Sequence, residues 1–324
     1  MAIKGKRVWL HIGAMRCSRT LVAMIAFGLP VLVRGAPAGL PEFPIESPAA
    51  GIYVHYGQQA EMTAANAGDI ANLGFVVGER CVAVIDTGGS YAVGRALYQA
   101  IRRVTPLPVC FVINTHVHPD HVFGNQAFVE EKPRYVGHVH LPESMRRRGP
   151  NYLRALQRDL GGAAEGTQLV PPTVVVAGVQ RVDLGGRRLT LRAWRTAHTD
   201  TDLTVLDEQS GTLWLGDLLF VDHLPVVDGS LRGFIAAIGE LKRLPAKRAV
   251  AGHGRASAWP AAILPEEQYL RRLLADVRNA LKSGMPIQDA VETLPCDRAD
   301  RWQLVDQFHR RNVTTAYAEL EWEQ

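Results

Sequence analysis

Apolar positions along the chain fall into short blocks punctuated by glycine, proline and acidic residues, a pattern of buried strands interleaved with amphipathic helices. Cys81 to Ile85 and Val109 to Ile113 are continuous apolar runs, each of a length that predicts a core strand. Between them, Tyr91 to Arg103 places Val93, Leu97 and Ile101 on one stripe and predicts a helix, stopped by Pro106 and Pro108. Strand, turn, helix, strand is an α/β signature. Ile52, Val54 and Tyr56 alternate in an earlier strand, after a proline-rich, extended lead-in over 39–50. Tyr135 to His140 reads as a strand, and Leu141 opens a helix through Leu160 with Leu153, Leu156 and Leu160 inward. Thr173 to Val176, Gln180 to Leu184, Arg188 to Trp194 and Thr204 to Asp207 predict short strands, followed by Leu213 to Asp217, a strand ending on a carboxylate. A helix from Leu231 to Leu244, a strand from Arg248 to Ala251 and helices over Pro265 to Lys282 and Arg298 to Arg310 complete the chain, the last burying Trp302, Val305 and Phe308.

Several of these blocks deliver metal-binding residue types at their ends. His116 and His118 are two apart, so an extended backbone turns both imidazoles to one face, and Asp120 and His121 follow at the next turn. His198, Asp217 and His253 arrive separately, the last bracketed by Gly252 and Gly254. Imidazole suits zinc, and seven donors are enough for two ions. His116, His118 and His198 would serve one, Asp120, His121 and His253 the other, with Asp217 bridging. A single structural zinc competes with this reading, but structural sites favour cysteine and none lies near the cluster. A bridging hydroxide oriented by Asp120 would then attack an ester, thioester or related acyl bond. His223, on the loop beyond Asp217, is a candidate to touch substrate or protonate a leaving group. Asp86, followed by Thr87 and Gly88, is either a site organiser or a turn cap. His138 and His140 lack a neighbouring carboxylate and are not assigned as ligands. Arg146, Arg147 and Arg148 read as a solvated run, with reception of an anionic substrate as the alternative.

Composition alters the picture mainly at the N-terminus. With 324 residues, 47% hydrophobic and 21% charged, the chain can bury a large core. The formal charge of +4 misleads, because residues 1–38 carry six basic residues and no acid, leaving −2 on the rest. Nucleic-acid binding is therefore not expected. The same segment has a basic start, an apolar run from Leu21 to Val33, and small residues at Gly35 to Ala38, which predicts an export signal cleaved after Ala36 or Ala38. The run is too short for a comfortable membrane span, an uncleaved membrane anchor being the alternative, and no stable membrane insertion is expected after cleavage. Residues 39–258 would then form the catalytic domain, 259–324 a helical extension packed on it, and the mature protein would be periplasmic or secreted. Cys81 and Cys110 each stand at a predicted core strand, as either a disulfide or two buried thiols.

Thr115 to His121 reads Thr-His-x-His-x-Asp-His, and with His198, Asp217 and His253 it resembles the metallo-β-lactamase fold superfamily over roughly Gly68 to Ala258. The resemblance implies a four-layer αβ/βα sandwich with a binuclear zinc site at the edge between two sheets, iron or manganese being alternatives to zinc. It also implies supporting roles for Asp86 and Asp202. An aspartate at Asp217 resembles glyoxalase-II-like thioester hydrolases, where dizinc β-lactamases usually offer cysteine or serine; a class B-like β-lactamase or lactonase, or a zinc-binding accessory protein, is the alternative. Gly124 to Phe128, Phe220 to Ser230 and Asn312 to Tyr317 resemble exported zinc metallohydrolases associated with sulfur oxidation or with a quinoprotein relay. That likeness implies a small-molecule substrate and a periplasmic quinoprotein dehydrogenase system as partner.

Overall fold

The computed structural model describes residues 43–323 and, before them, Ala2 alone, so the expected export signal lies outside the described residues. Two sheets organise the chain. The first contains β1 (Glu46–Ala49), β2 (Ile52–His55), β3 (Leu73–Val77), β4 (Val82–Ile85), β5 (Val109–Ile113), β6 (Arg134–His138) and β7 (Val174–Val176), in that spatial order. It is antiparallel from β1 to β4 and parallel from β4 to β7. The second contains β8 (Val179–Asp183), β9 (Arg188–Ala193), β10 (Leu203–Asp207), β11 (Thr212–Phe220), β12 (Arg248–His253) and β13 (Ser257–Ala258), also in sequence order. Only β11 and β12 run parallel there.

The continuous apolar runs are explained by burial on both faces. Along β4, Ala83 and Ile85 point into the core between the sheets with Val205, Trp214 and Val250, while Val82 and Val84 face α1 (Tyr91–Val104). On β11, Trp214 turns inward and Leu213 and Leu215 pack outward against α4 (Leu231–Leu241) and the later helices α5 (Leu264–Lys282) and α7 (Val305–Leu320). Helix, sheet, sheet and helix thus form the four expected layers. Ser90 and Ser230 cap α1 and α4 by accepting hydrogen bonds from Val93 and Gly233. Cys81 and Cys110 form a disulfide between the start of β4 and β5, which resolves the open choice between bond and thiols.

Several sequence-based expectations differ. The strand predicted to end at Asp217 continues to Phe220, so the carboxylate projects from mid-strand. The helix predicted over Arg298 to Arg310 is instead a short 3-10 turn at Ala299–Arg301, an extended Trp302, and α7 beginning at Val305. Leu304, with φ +60°, and hydrogen bonds that Gln303 exchanges with Asp222 and Leu224 interrupt the helix there. Trp302 is buried as expected, whereas Val305 and Phe308 are only partly so. A helix α6 (Ile287–Thr293) was not foreseen, its apolar stripe being too short to register. The C-terminal helices share one apolar cluster with α4 and β11, and the described residues from Phe43 onward belong to one compact unit. Among the described residues no helix is long and apolar enough to cross a membrane.

Candidate metal centre

β5 ends at Ile113, and a buried asparagine lock fixes the turn that follows. Asn125 Oδ1 accepts from Asn114 and from Thr87, and Asn125 Nδ2 donates back to Asn114 Oδ1 at 2.8 Å. His116 and His118 follow, and the one-turn helix α2 (Pro119–Val122) carries Asp120 and His121. His198 comes from the loop between β9 and β10, Asp217 from β11 and His253 from the end of β12. Two donor groups result: His116, His118, His198 and Asp217; and Asp120, His121 and His253.

Asp217 joins them. Its Oδ2 lies 3.3 Å from His198 Nε2 and 3.7 Å from His116 Nε2, whereas its Oδ1 lies 3.2 Å from His121 Nε2 and 3.5 Å from His253 Nε2. Asp120 Oδ2 is 3.4 Å from His253 Nε2. Two glycines make this geometry accessible. Gly216, at φ +51°, breaks the regular pairing with β12 and leaves no room for a side chain, since a Cβ would sit 2.5 Å from Thr115 Oγ1. A Cβ on Gly252 would overlap the Asp217 carboxylate itself.

The outward nitrogens of these rings are already engaged, which directs the other nitrogen inward as an unprotonated donor to a cation. His121 Nδ1 meets Asp86 Oδ2 at 2.8 Å, His198 Nδ1 the Val226 carbonyl at 2.7 Å and His253 Nδ1 the Ile70 carbonyl at 3.0 Å. Thr115 Oγ1 donates to Asp86 at 2.7 Å and stands 3.1 Å from His116 Nδ1. Asp86, held at φ +54°, also accepts from Thr115 N at 2.8 Å, so its carboxylate links the Thr115 turn to His121. His118 is reversed: its Nδ1 faces His198 Nε2 at 3.0 Å and its Nε2 meets Asp228 at 3.2 Å. His116 Nε2, His121 Nε2 and Asp217 Oδ1 are buried without any hydrogen-bond partner. Such orphans among imidazoles and carboxylates fit bound divalent cations.

Charge in the ion-free chain points the same way. Burial opposes ionisation of Asp217, yet His121, His253 and His116 hold its pKa well below the usual carboxylate range. Burial likewise opposes Asp120, which His121 and His253 bring down to about 2. Against burial, Asp217 and Asp120 raise His253 to about 9, and with Asp86 they hold His121 well above the ordinary histidine value. Protons on His121 and His253 therefore supply positive charge where a cation would otherwise supply it. Burial drops His198 to about 4 and keeps it neutral.

A cavity of about 370 Å³ opens over the cluster, with Asp120, Asp217 and His253 in its floor and Met62, Ile70, Phe220 and Phe308 among its apolar lining. His223 lies in its wall, ring centroids 4.8 Å from His253. Its Nδ1 engages the Leu224 carbonyl at 2.6 Å and burial lowers its pKa to about 4, so at neutral pH it is a hydrogen-bond acceptor at Nε2. Asp202 does not reach the cavity lining; it accepts from Thr199 N and Oγ1, shaping the His198 loop, and burial raises its pKa to about 7. The arginine run divides. Arg146 pairs with Glu143 on the surface, while half-buried Arg148 donates to Asp228 at 2.5 Å and so supports His118. His138 bonds the Trp194 carbonyl and belongs to neither donor group. Asp228 and Arg148 were not assigned from sequence; both were visible only as charges on a loop and in a run.

The family model described as the Metallo-beta-lactamase superfamily matches residues 67–253, more than half of the chain and the span that holds all seven donors. The chain belongs to that superfamily. Among solved structures it is similar to a metallo-beta-lactamase from Pontibacter korlensis, with a TM-score of 0.56 at 18% identity over 71% of this chain and 99% of that one. It is also similar to the stereoselective inverting sec-alkylsulfatase Pisa1 from Pseudomonas sp., with a TM-score of 0.65 at 15% identity over 85% of this chain and 50% of that one. A linear primary-alkylsulfatase from Pseudomonas sp. (strain ATCC 19151) is 34% identical over 58 residues, which is 18% of this chain and 11% of that protein's length.

Proposed function

We propose that the chain is a hydrolase with two zinc ions, one held by His116, His118 and His198 and the other by Asp120, His121 and His253, with Asp217 serving both. Iron or manganese would suit the same donors. The observation that carries this reading is the division of the two Asp217 oxygens between separate imidazole pairs. When bound, the ions supply an acidified water and polarise the scissile bond. The protein does the rest. Asp120, ionised above about pH 2, would hold one ion and orient the water from the cavity floor. His223 accepts a hydrogen bond at Nε2, and the apolar lining limits water around the reacting bond.

An ester, thioester or related acyl bond is the favoured substrate class, on the resemblance of Asp217 to glyoxalase-II-like sites. An alkyl sulfate ester is the second reading. It is favoured by the wider overlap with the alkylsulfatase structure, 85% of this chain against 71% for the β-lactamase. An exported location is supported by the basic and apolar character of the first 38 residues and by the disulfide, a bond characteristic of oxidising compartments. Association with a periplasmic quinoprotein dehydrogenase system rests on the resemblance at Phe220 to Ser230 and Asn312 to Tyr317. The test is zinc analysis followed by turnover of thioesters, lactones, β-lactams and alkyl sulfates by native protein and His118→Ala. Two zinc equivalents and loss of turnover in the variant support the reading; a zinc-free protein after resupply, or equal turnover by both, rejects it.

A further inference from the structure

The loop over 222–230 carries His223 and supports two imidazoles of the first donor group. The Val226 carbonyl accepts from His198 Nδ1 at 2.7 Å and Asp228 bonds His118 Nε2 at 3.2 Å. Neither loop residue belongs to a helix or strand, so something else must fix them to the tolerance that ligand orientation needs. The C-terminal segment does so at three places. Gln303 exchanges backbone hydrogen bonds with Asp222 and Leu224 at 2.7 and 3.0 Å. Glu319 on α7 accepts from Ser230 Oγ at 2.7 Å and from Leu231 N at 2.6 Å. Between them, fully buried Asn312 accepts from Val227 N at 2.9 Å and donates to the Pro225 carbonyl at 2.6 Å. Its remaining donor goes to Tyr269 Oη at 2.9 Å, and Tyr269 is tied to His309, 3.1 Å away. Every polar atom of the Asn312 amide is thereby used, which fixes its orientation.

We infer that α7 braces the first ion site, with Asn312 as the positioning residue that sets His198 and His118 through Pro225, Val226 and Val227. Asn312 grips the residues on either side of Val226, so the intervening carbonyl is aimed at His198 without freedom to drift. The second donor group has no bond to Asn312 or to the residues it grips: Asp86 and the Ile70 carbonyl engage the outer nitrogens of His121 and His253. The inference rests on the binuclear reading above and assigns α7 a role in metal retention that packing alone would not give it.

The test uses the whole chain and zinc itself. Asn312→Ala, Asn312→Asp and Val313→Ala are titrated with zinc against a chromophoric chelator, with thermal unfolding of each ion-free protein alongside. Val313 is buried in the same helix but lies in the apolar cluster, so its truncation controls for a loosened α7. Asn312→Ala should weaken one zinc equivalent by roughly 10–100-fold and leave the other unchanged. Asn312→Asp keeps the acceptor for Val227 but sets a carboxylate oxygen against the Pro225 carbonyl, so it should not restore the lost affinity. Val313→Ala should lower the melting temperature without changing either affinity. Adding Asn312→Ala to His198→Ala should cost no further affinity, since both act on one site. Wild-type affinity for both equivalents in Asn312→Ala, or an equal loss in Val313→Ala, overturns the brace alone. A wild-type protein that binds fewer than two equivalents overturns the binuclear reading and the brace together.

Discussion

Replacing Asp217 by asparagine tests the shared carboxylate directly. The substitution is nearly isosteric, so the close fit against Gly252 and the pairing of β11 with β12 should survive. What changes is charge. One carboxylate oxygen now faces His198 and His116 and the other faces His121 and His253, all within 3.2–3.7 Å. A unit charge at ~4 Å in a medium of effective dielectric ~20 is worth about 4 kcal/mol, or roughly a thousandfold in affinity. An amide can present an oxygen to only one side, so one ion should lose its ligand outright while the other keeps a neutral one. The expected result is a protein that retains one zinc equivalent after dialysis and binds the second about a thousandfold more weakly in chelator competition. Turnover of any substrate found in the panel should fall in step with the lost equivalent. Two equivalents held with native affinity would refute the bridging role.

Asp86→Asn, which removes the charge behind His121, should lower affinity for the second site roughly 10–100-fold in the same titration while His116, His118 and His198 keep their ion. In the ion-free chain His253 carries a proton up to about pH 9 and His121 beyond the ordinary histidine range, so zinc must displace protons to bind. Affinity should therefore rise with pH up to about 9 and fall as the solution is acidified; a titration that is flat across that window contradicts the assigned charges. His223→Ala should leave zinc content intact and reduce kcat/KM by about 100-fold or more if its Nε2 contacts the reacting group. Reduction of Cys81–Cys110, which closes a separation of 29 residues, should cost about 3–4 kcal/mol in the chain-entropy account, read as a lower melting temperature with and without reductant.

The sheet architecture and all seven donors were legible because both depend on short-range pattern. β4 and β5 announce themselves as apolar runs, and His116, His118, Asp120 and His121 sit within six consecutive positions. Trouble began where conformation depends on distant partners. Nothing local tells that Leu304 adopts φ +60° or that Gln303 pairs with Asp222, so the last helix was placed too early. Asp228 and Arg148 met the same limit. Each is an unremarkable charge in sequence, and their joint support of His118 exists only once α3 (Leu141–Leu160) lies beside the loop before α4.

Asp217 shows where the two kinds of information meet. Its identity is readable, and so is its place after an apolar run, yet a strand ending there would leave the carboxylate on a mobile edge. The strand instead continues to Phe220, with every residue of β11 buried, and its pairing with β12 departs from regular register on both sides of Gly216. A left-handed glycine immediately before the aspartate reorients it, and a second glycine across on β12 clears the space it enters. The carboxylate is thus held within a fully buried strand that continues on both sides of it. This is the placement a shared ligand requires, because a displacement toward either donor group would favour one ion at the expense of the other.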